Sequence, residues 1–494
     1  MTRLQNPVQA ADWLRAQVTG RLCTDSRQVG AGDGFIAWPG AALDGRAYVA
    51  DALAAGAAAC LVEEAGADDY DFSDERIAVY PGLKADAAPL AAAYFGDPSA
   101  QLQVFAVTGT NGKTSSSWWL AQALGKVGLR CGVVGTLGIG EADAMVFNGL
   151  TTPDPVLLQE QLRRFVDTGF KACALEASSI GIAEKRLDAT RVKVAIFTNF
   201  TQDHLDYHGS MQAYWDAKKS LFAWPGLECA VVNIDDAKGA WLFMALADSG
   251  LDVWTVSIAE PARLQAKNIR QEANKLQFEV VEGQEQYLVA VATVGLYNVS
   301  NLLGVMAAMR AAGIALKDAA NACCGLQSVP GRLDVLSLES SPLVAIDYAH
   351  TPDALEEVLL ALQPIAQSRG GVLWCVFGCG GDRDASKRPL MAAIAQKHAD
   401  HLVVTSDNPR SEAPDAIIRQ ILAGLSPADA VQVQADRALA IAGTVGLARP
   451  CDVVLIAGKG HENYQEISGV KHPFSDRTHA QDALFARSAQ GGAA

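Results

Sequence analysis

Residues 109–115 read GTNGKTS, and their types suit one task, the cradling of a phosphate. Backbone N–H groups at a helix N-terminus attract an anion, Gly109 and Gly112 permit close approach, and Lys113 adds a point charge. Thr114 offers a hydroxyl oxygen to Mg2+. Strict phosphate-loop spacing is G-x-x-x-x-G-K-[ST], and here Val107 takes the first glycine position. The alternative is an ordinary Gly-rich turn before a helix. Further along, LEASSIGI places Glu176 at the C-terminal edge of a strand, where ligands of α/β sheets collect. His204 and His208 stand four apart, which would suit zinc on a helix face. No H-E-x-x-H accompanies them, and residues 203–209 read as a loop. Lys218, on the helix that follows, reads on its own as a solvated residue. In the last third, FGCGGDRDASKRPLM, TSDNPRSEAP and IAGKGHENYQ fall at successive strand ends. They bring Arg383, Asp407, Asn408, Pro409, Arg410, Gly458 and Glu462 toward one mouth. Taken alone, SDNPRSE reads as a surface turn.

These residues need a scaffold, and the hydrophobic pattern supplies one. VFAVTG, CGVVG, KACALEAS and VAIFTNF read as buried parallel strands. SSSWWLAQALGKV, PVLLQEQLRRFVDTG and MQAYWDAKKSLF read as helices. Their alternation is the α/β signature with a parallel sheet. From Leu264 to Val294 the chain turns strand-rich, which predicts an antiparallel appendage. A second alternating series follows: LVAIDYAH, GVLWCVFGCGG, HLVVTSDNP and DVVLIAGKGHE. The breaks at GDPSAQLQ and SVPGRLDVL predict three domains, 1–90, 91–330 and 331–494. A prior of roughly 150 residues per domain agrees with a length of 494.

Composition narrows the class. The formal charge of −15 argues against general nucleic-acid or membrane-surface binding. The N-terminal MTRLQNPVQAADWLRAQ lacks an apolar signal core, and the Ala-rich stretch at 50–62 is too short to span a bilayer. Ten cysteines without a C-x-x-C pair read as reduced thiols. A soluble, cytoplasmic monomer is expected.

TGTNGKT resembles the ATP loop of the Mur ligase and folylpolyglutamate synthetase superfamily, and the resemblance continues through the central and C-terminal thirds. It implies amide formation: ATP phosphorylates a carboxylate, and an amine displaces phosphate from the acyl phosphate. It gives ATP to Gly109, Thr110, Asn111, Gly112, Lys113, Thr114 and Ser115. It gives Mg2+ to Thr114, Glu176, His204 and Lys218, the lysine being carbamylated. Carbamylation turns a cation into an oxygen ligand and needs a neutral amine, which burial favours. In VGLYNVSNLLGVMAA, Asn298 and Asn301 match adenine-side residues, although Asn298 can equally cap a helix. Arg332 and Asp347 match residues that reach ATP from the C-terminal domain; a turn or an ion pair is their alternative.

The N-terminal pattern T-D-S-R…G-D-x-F-x-A…G-x-x-x-D-G-R-x-Y resembles the nucleotide-sugar domain of the MurE family. The implied fold is a small α/β N-terminal domain, a central phosphate-loop ATPase domain with a parallel sheet, and a Rossmann-like C-terminal domain. The implied uridine contacts are Thr24, Ser26, Ala41, Ala42 and Leu43, with alanines where relatives often carry polar side chains. Thr151, Thr152, Ser178, Glu184 and Arg186 match positions that hold the muramoyl-dipeptide. Ile180 replaces a common histidine, and Glu184 replaces a glutamine; the Glu184 carboxylate would repel an anionic substrate unless paired, for instance with Arg186. D-N-P-R resembles the diaminopimelate-adding branch rather than the lysine-adding one. An Arg can grip the distal carboxylate of diaminopimelate with paired hydrogen bonds, and Glu462 can accept the neighbouring ammonium. Such a site would discriminate against lysine by on the order of several kcal/mol. The resemblance therefore implies UDP-MurNAc-L-Ala-D-Glu, ATP and meso-diaminopimelate as substrates, with Mg2+, in bacterial wall precursor synthesis. A lysine-adding ligase or a folate glutamylator would fit the loop as well. A non-catalytic nucleotide-binding regulator is disfavoured by Lys113, Glu176, His204 and Lys218 together. A phosphate-loop kinase would release a phosphorylated product instead of free phosphate.

Overall fold

The computed structural model describes residues 2–40, 43–142, 144–272, 275–426 and 431–491. The chain divides into two compact units. The first comprises residues 1–108, 124–196 and 217–230, and the second residues 109–123, 197–216 and 231–494.

The first unit opens with a parallel sheet of five strands in the order Thr2–Arg3, Ile77–Tyr80, Ala59–Glu63, Gly34–Ala37, Leu22–Cys23. Alternate side chains along its strands enter opposite cores. Ile36, Ala59, Leu61, Ala78 and Tyr80 pack on one face. Phe35, Cys60, Val62, Ile77 and Val79 pack on the other. Burial on both faces explains why Gly34–Ala37, Ala59–Glu63 and Ile77–Tyr80 are largely apolar runs, whereas the edge strand Thr2–Arg3 is exposed. Further along, Gln103–Thr108 and Cys131–Gly135 flank Ala172–Glu176, all parallel, with Val107 opposite Glu176. Glu176 therefore ends its strand at the edge where the phosphate loop begins.

In the second unit, Leu264–Glu272, Lys275–Glu282 and Glu285–Val291 form the antiparallel series expected from the sequence. A six-stranded sheet follows, in the order Asp334–Leu336, Leu343–Asp347, Val453–Ala457, Leu373–Phe377, His401–Val404, Gln432–Val433. Only its first pair is antiparallel. Cys375, Phe377, Val404 and Leu455 face helices Pro352–Ser368, Lys387–His398 and Pro414–Leu422. Trp374, Val376, Val403 and Ile456 face Arg437–Leu447 and Asp476–Gly491. Each fully buried Val, Leu, Ile or Phe contributes about 1.5–3 kcal/mol by leaving water, so both faces anchor the sheet. In such a doubly wound sheet, ligands collect at the strand C-terminal ends.

The α/β class is observed, and the strands and helices named from the sequence form at their expected places. Residues 203–209 differ from the expected loop: Leu205–His208 is a single helical turn, bracketed by left-handed backbone at His204 and Gly209. Among the described residues no helix is long and apolar enough to cross a membrane. None of the ten cysteines is joined in a disulfide.

Candidate active site

Helix Lys113–Lys126 starts directly after the Gly-rich loop. Gly109 has φ +146°, and a Cβ there would lie 1.8 Å from Thr198 Oγ1. Gly112 has φ +84°, and a Cβ would meet Asn301 Oδ1 at 2.4 Å. Conformation and space both demand glycine. The segment after Phe197 holds the loop in place. Thr110 N–H donates to Asn199 O at 2.9 Å and Asn111 N–H to Asn199 Oδ1 at 2.8 Å. The Thr198 hydroxyl donates to Asn111 O at 2.6 Å. The Lys113 ammonium donates to Gly109 O and Thr110 O at 2.9 and 2.7 Å, so its charge lies over the loop itself. Ser115 is buried in the first helical turn.

Residues from the C-terminal third reach this loop within the second unit. Arg332 Nη2 donates to Thr114 Oγ1 at 3.1 Å, and Asn111 Nδ2 donates to Asp353 Oδ2 at 3.0 Å. The Arg332 guanidinium lies 4.4 Å over the Tyr348 ring, and its Nε is buried with no hydrogen-bond partner. Asp347 accepts from Leu333 N–H and Ala349 N–H, both at 2.7 Å. Burial pushes its carboxyl up, against the pull of Arg332 and those two donors. Asn298 does not cap its helix: Gly295 is the N-cap of Leu296–Ala311, and Asn298 Nδ2 donates to Val294 O at 2.7 Å. Asn301 Nδ2 donates in turn to Asn298 Oδ1 at 3.3 Å. His204 has φ +52° and stands 3.5 Å from Asp203. Burial alone would raise the Asp203 carboxyl. His350, His204 and Lys387 around it more than offset this and hold it well below the usual carboxylate range.

The first unit gathers another set. The Glu176 carboxylate accepts from Thr136 N–H at 2.8 Å and from the Thr136 hydroxyl at 3.1 Å. Thr136 Oγ1 lies 3.0 Å from Thr151 Oγ1. The Thr152 hydroxyl donates to Glu176 O at 2.7 Å and lies 2.9 Å from Ser178 Oγ. Arg186 Nη1 donates to Thr152 O at 2.9 Å. Thr151, Thr152, Glu176, Ser178 and Arg186 thus form one cluster. Glu184 pairs with Lys84 at 2.9 Å, a partner not foreseen, which offsets its charge. Burial pushes up the carboxyl of Asp154, the N-cap of Pro155–Asp167, against the pull of the Leu157 and Val156 N–H groups, Arg186 and Thr24. Ser26 opens a short 3-10 turn, Leu43 is 69% exposed, and Ala41 and Ala42 lie outside the described residues. Lys218 is 1% exposed, so it is not the solvated helix residue it resembles in isolation.

Of the four expected Mg2+ ligands, Glu176 and Lys218 belong to the first unit, and Thr114 and His204 to the second. Their chemistry fits a hard cation: a hydroxyl and a carboxylate give oxygen, and Lys218 adds oxygen once carbamylated. Among the described residues no group of three or more His, Cys, Asp or Glu side chains is arranged to hold a metal.

The third set lies at the strand ends of the six-stranded sheet. Asp407, Asn408 and Pro409 are buried, so this segment is not a surface turn. Lys459, absent from the residues singled out in the sequence, is its hub. Its Nζ donates to Asn408 Oδ1 and Glu462 Oε2, both at 2.9 Å, and lies 3.7 Å from Asp407 Oδ1. Asn408 Nδ2 also donates to Glu462 Oε2 at 2.8 Å. Arg410, at φ +51°, donates from Nη1 to Gly381 O at 2.7 Å and lies 3.5 Å from Glu466. Arg383 Nη1 donates to Asp382 O at 3.1 Å. A Cβ on Gly458 would lie 2.4 Å from Asp407 Oδ2, so only glycine lets the two strand ends come this close. Cations and carboxylates together make the mouth suited to a zwitterion with charges at its far end.

Comparison with known proteins adds three matching domain models. They are described as Mur ligase family, catalytic domain, over residues 20–94; Mur ligase middle domain, over 107–309; and Mur ligase, glutamate ligase domain, over 331–460. A UDP-N-acetylmuramoyl-L-alanyl-D-glutamate--2,6-diaminopimelate ligase of Acidovorax sp. (strain JS42) is 56% identical over 494 residues, spanning 99% of this chain and 98% of that one. A protein of the same name from Janthinobacterium sp. (strain Marseille) is 47% identical over 97% of each chain. A solved structure of a ligase of that name is 34% identical, with a TM-score of 0.63 over 95% of each chain.

Proposed function

The chain belongs to the Mur ligase family, and on that premise we infer that it is an ATP-dependent ligase adding diaminopimelate to UDP-MurNAc-L-Ala-D-Glu in peptidoglycan precursor synthesis. The observation that carries this reading is 56% identity to a diaminopimelate-adding relative across 99% of the chain. The acidic and basic groups around Asn408 support the same amino acid. Residues 1–90 take the nucleotide sugar, 91–330 take ATP, and 331–494 take the amino acid.

In this reading the γ-carboxylate oxygen of D-Glu attacks the γ-phosphorus of ATP, and ADP leaves. The amine of meso-diaminopimelate then attacks the acyl carbon, loses a proton and expels phosphate. Gly109, Thr110, Asn111, Gly112 and Ser115 cradle the phosphates, and Lys113 exchanges its loop carbonyls for phosphate oxygens, a stronger charge-assisted contact. Arg332 faces the same phosphates, where a guanidinium stabilises charge during phosphoryl transfer. Asn298, Asn301 and Asp347 serve the nucleoside. Mg2+, assigned to Thr114, Glu176, His204 and carbamylated Lys218, neutralises phosphate charge when bound. Thr24, Ser26 and the Ala41–Ala42–Leu43 stretch take the uridine end. Thr151, Thr152, Ser178 and Arg186 orient the dipeptide, beside Glu184 with its charge offset by Lys84. Arg410 and Arg383 take the distal carboxylate of diaminopimelate, while Asp407, Asn408, Gly458 and Glu462 take its ammonium.

Labelling the D-Glu γ-carboxylate with oxygen-18 tests this sequence of bonds. One labelled oxygen should appear in the released phosphate; unlabelled phosphate would rule out the acyl phosphate.

A further inference from the structure

Beneath the amino-acid mouth lies a cation that no step above uses. Arg437 and Asp476 are the first residues of helices Arg437–Leu447 and Asp476–Gly491, and both side chains are 0% exposed. Arg437 Nε and Nη2 donate to the two Asp476 oxygens, each at 2.7 Å. Its remaining N–H groups turn to the sheet. Nη2 donates to Ala457 O at 3.0 Å, and Nη1 to Ser406 O at 3.3 Å. Those carbonyls immediately precede Gly458 and Asp407, two residues of the mouth.

The strands involved are not neighbours. Leu373–Phe377 runs between Val453–Ala457 and His401–Val404. No ladder hydrogen bond joins the two outer strands, whose separation is two inter-strand steps, roughly 9.5 Å. A guanidinium suits that gap because its planar fork sends N–H groups in several fixed directions at once. Asp476 makes the buried charge tolerable, and its position in the first turn of a long helix favours a carboxylate. Above this bridge the tolerances are tight: Lys459, from one strand end, bonds Asn408, from the other, at 2.9 Å.

We propose that Arg437 and Asp476 form a positioning pair that fixes the gauge of the amino-acid mouth. Selection of a diamino acid with a distal carboxylate over lysine depends on this pair, although neither residue touches substrate. The proposal rests on the ligase reading above.

The test uses two variants of the full chain. R437M/D476L replaces the pair with apolar groups of similar volume, an exchange that folds commonly accept. R437K keeps the ion pair but cannot reach both carbonyls. Thermal midpoint, KM for ATP, and kcat and KM for diaminopimelate and lysine are read by phosphate release. The expected result for R437M/D476L is a folded enzyme with KM for ATP within about twofold of the parent. Its KM for diaminopimelate rises at least about tenfold, and the preference for diaminopimelate over lysine falls by a similar factor. R437K falls between. A folded variant with unchanged amino-acid KM and preference overturns the proposal, as do equal rises in both KM values or loss of fold in both variants. If the parent enzyme forms no ADP with diaminopimelate, the ligase reading fails instead, so the two failures are distinguishable.

Discussion

Replacing Lys459 by methionine removes one ammonium and little volume. In the structure that ammonium makes two hydrogen bonds of 2.9 Å and lies 3.7 Å from a second carboxylate, with the side chain wholly out of solvent. A hydrogen bond involving a charged group contributes about 1.5–3 kcal/mol. Removing one partner of a buried pair costs about 3–5 kcal/mol, because the remaining charge is stranded. Two such bonds therefore set the expected loss at about 3–5 kcal/mol, or a thermal midpoint lowered by on the order of 10 °C. The catalytic effect is expected to be selective. Asn408 Oδ1 retains the Glu466 N–H at 2.9 Å, so the backbone persists while Glu462 loses its fixed position. Calorimetry and phosphate release at saturating ATP measure the two effects. KM for diaminopimelate should rise at least about tenfold with KM for ATP nearly constant. A variant as stable as the parent, with unchanged amino-acid KM, would refute the idea that Lys459 organises the mouth.

Three further outcomes are expected. Gly135→Ala would place a Cβ 2.1 Å from Glu176 Oε1, so kcat should fall by about tenfold or more while stability drops only about 1–3 kcal/mol; full kcat would detach Glu176 from the reaction. Lys218→Ala should lose activity and regain part of it when formate or acetate is added; indifference to both acids would remove the carbamate. Burial, aided by Arg332 and Lys459, pushes the His461 imidazole down to about 3, far below the ordinary value near 6.5. Acid then protonates the unfolded chain first, so this group's contribution is intact above about pH 6.5 and is lost as pH falls toward 3. His461→Gln should flatten the fall in melting temperature across that window, and parallel curves for variant and parent would count against the assignment.

What the sequence disclosed follows from the range of its signals. Runs such as ACALE and VVLIA are apolar because their strands are covered on both faces, and that is visible in a few consecutive letters. The Gly-rich loop was likewise legible, since Gly109 and Gly112 are fixed by their own backbone and by close neighbours. Lys459 was not: it stands inside the quoted IAGKGHENYQ, yet its partner Asn408 is 51 residues away, and no local spacing announces that contact. Arg437 and Asp476, 39 residues apart, are hidden for the same reason. Glu184 is legible as a charge in need of a partner, but the choice of Lys84 over Arg186 depends on packing. The turn at Leu205–His208 escaped because left-handed His204 is a non-glycine exception that residue type does not forecast.

The most direct measurement is a reaction of the purified chain with ATP, Mg2+ and UDP-MurNAc-L-Ala-D-Glu against a panel of amines, followed by mass spectrometry and ADP quantitation. Diaminopimelate should give one ADP per lengthened peptide, and lysine little of either. No ADP with diaminopimelate, or equal turnover with lysine, would contradict the account.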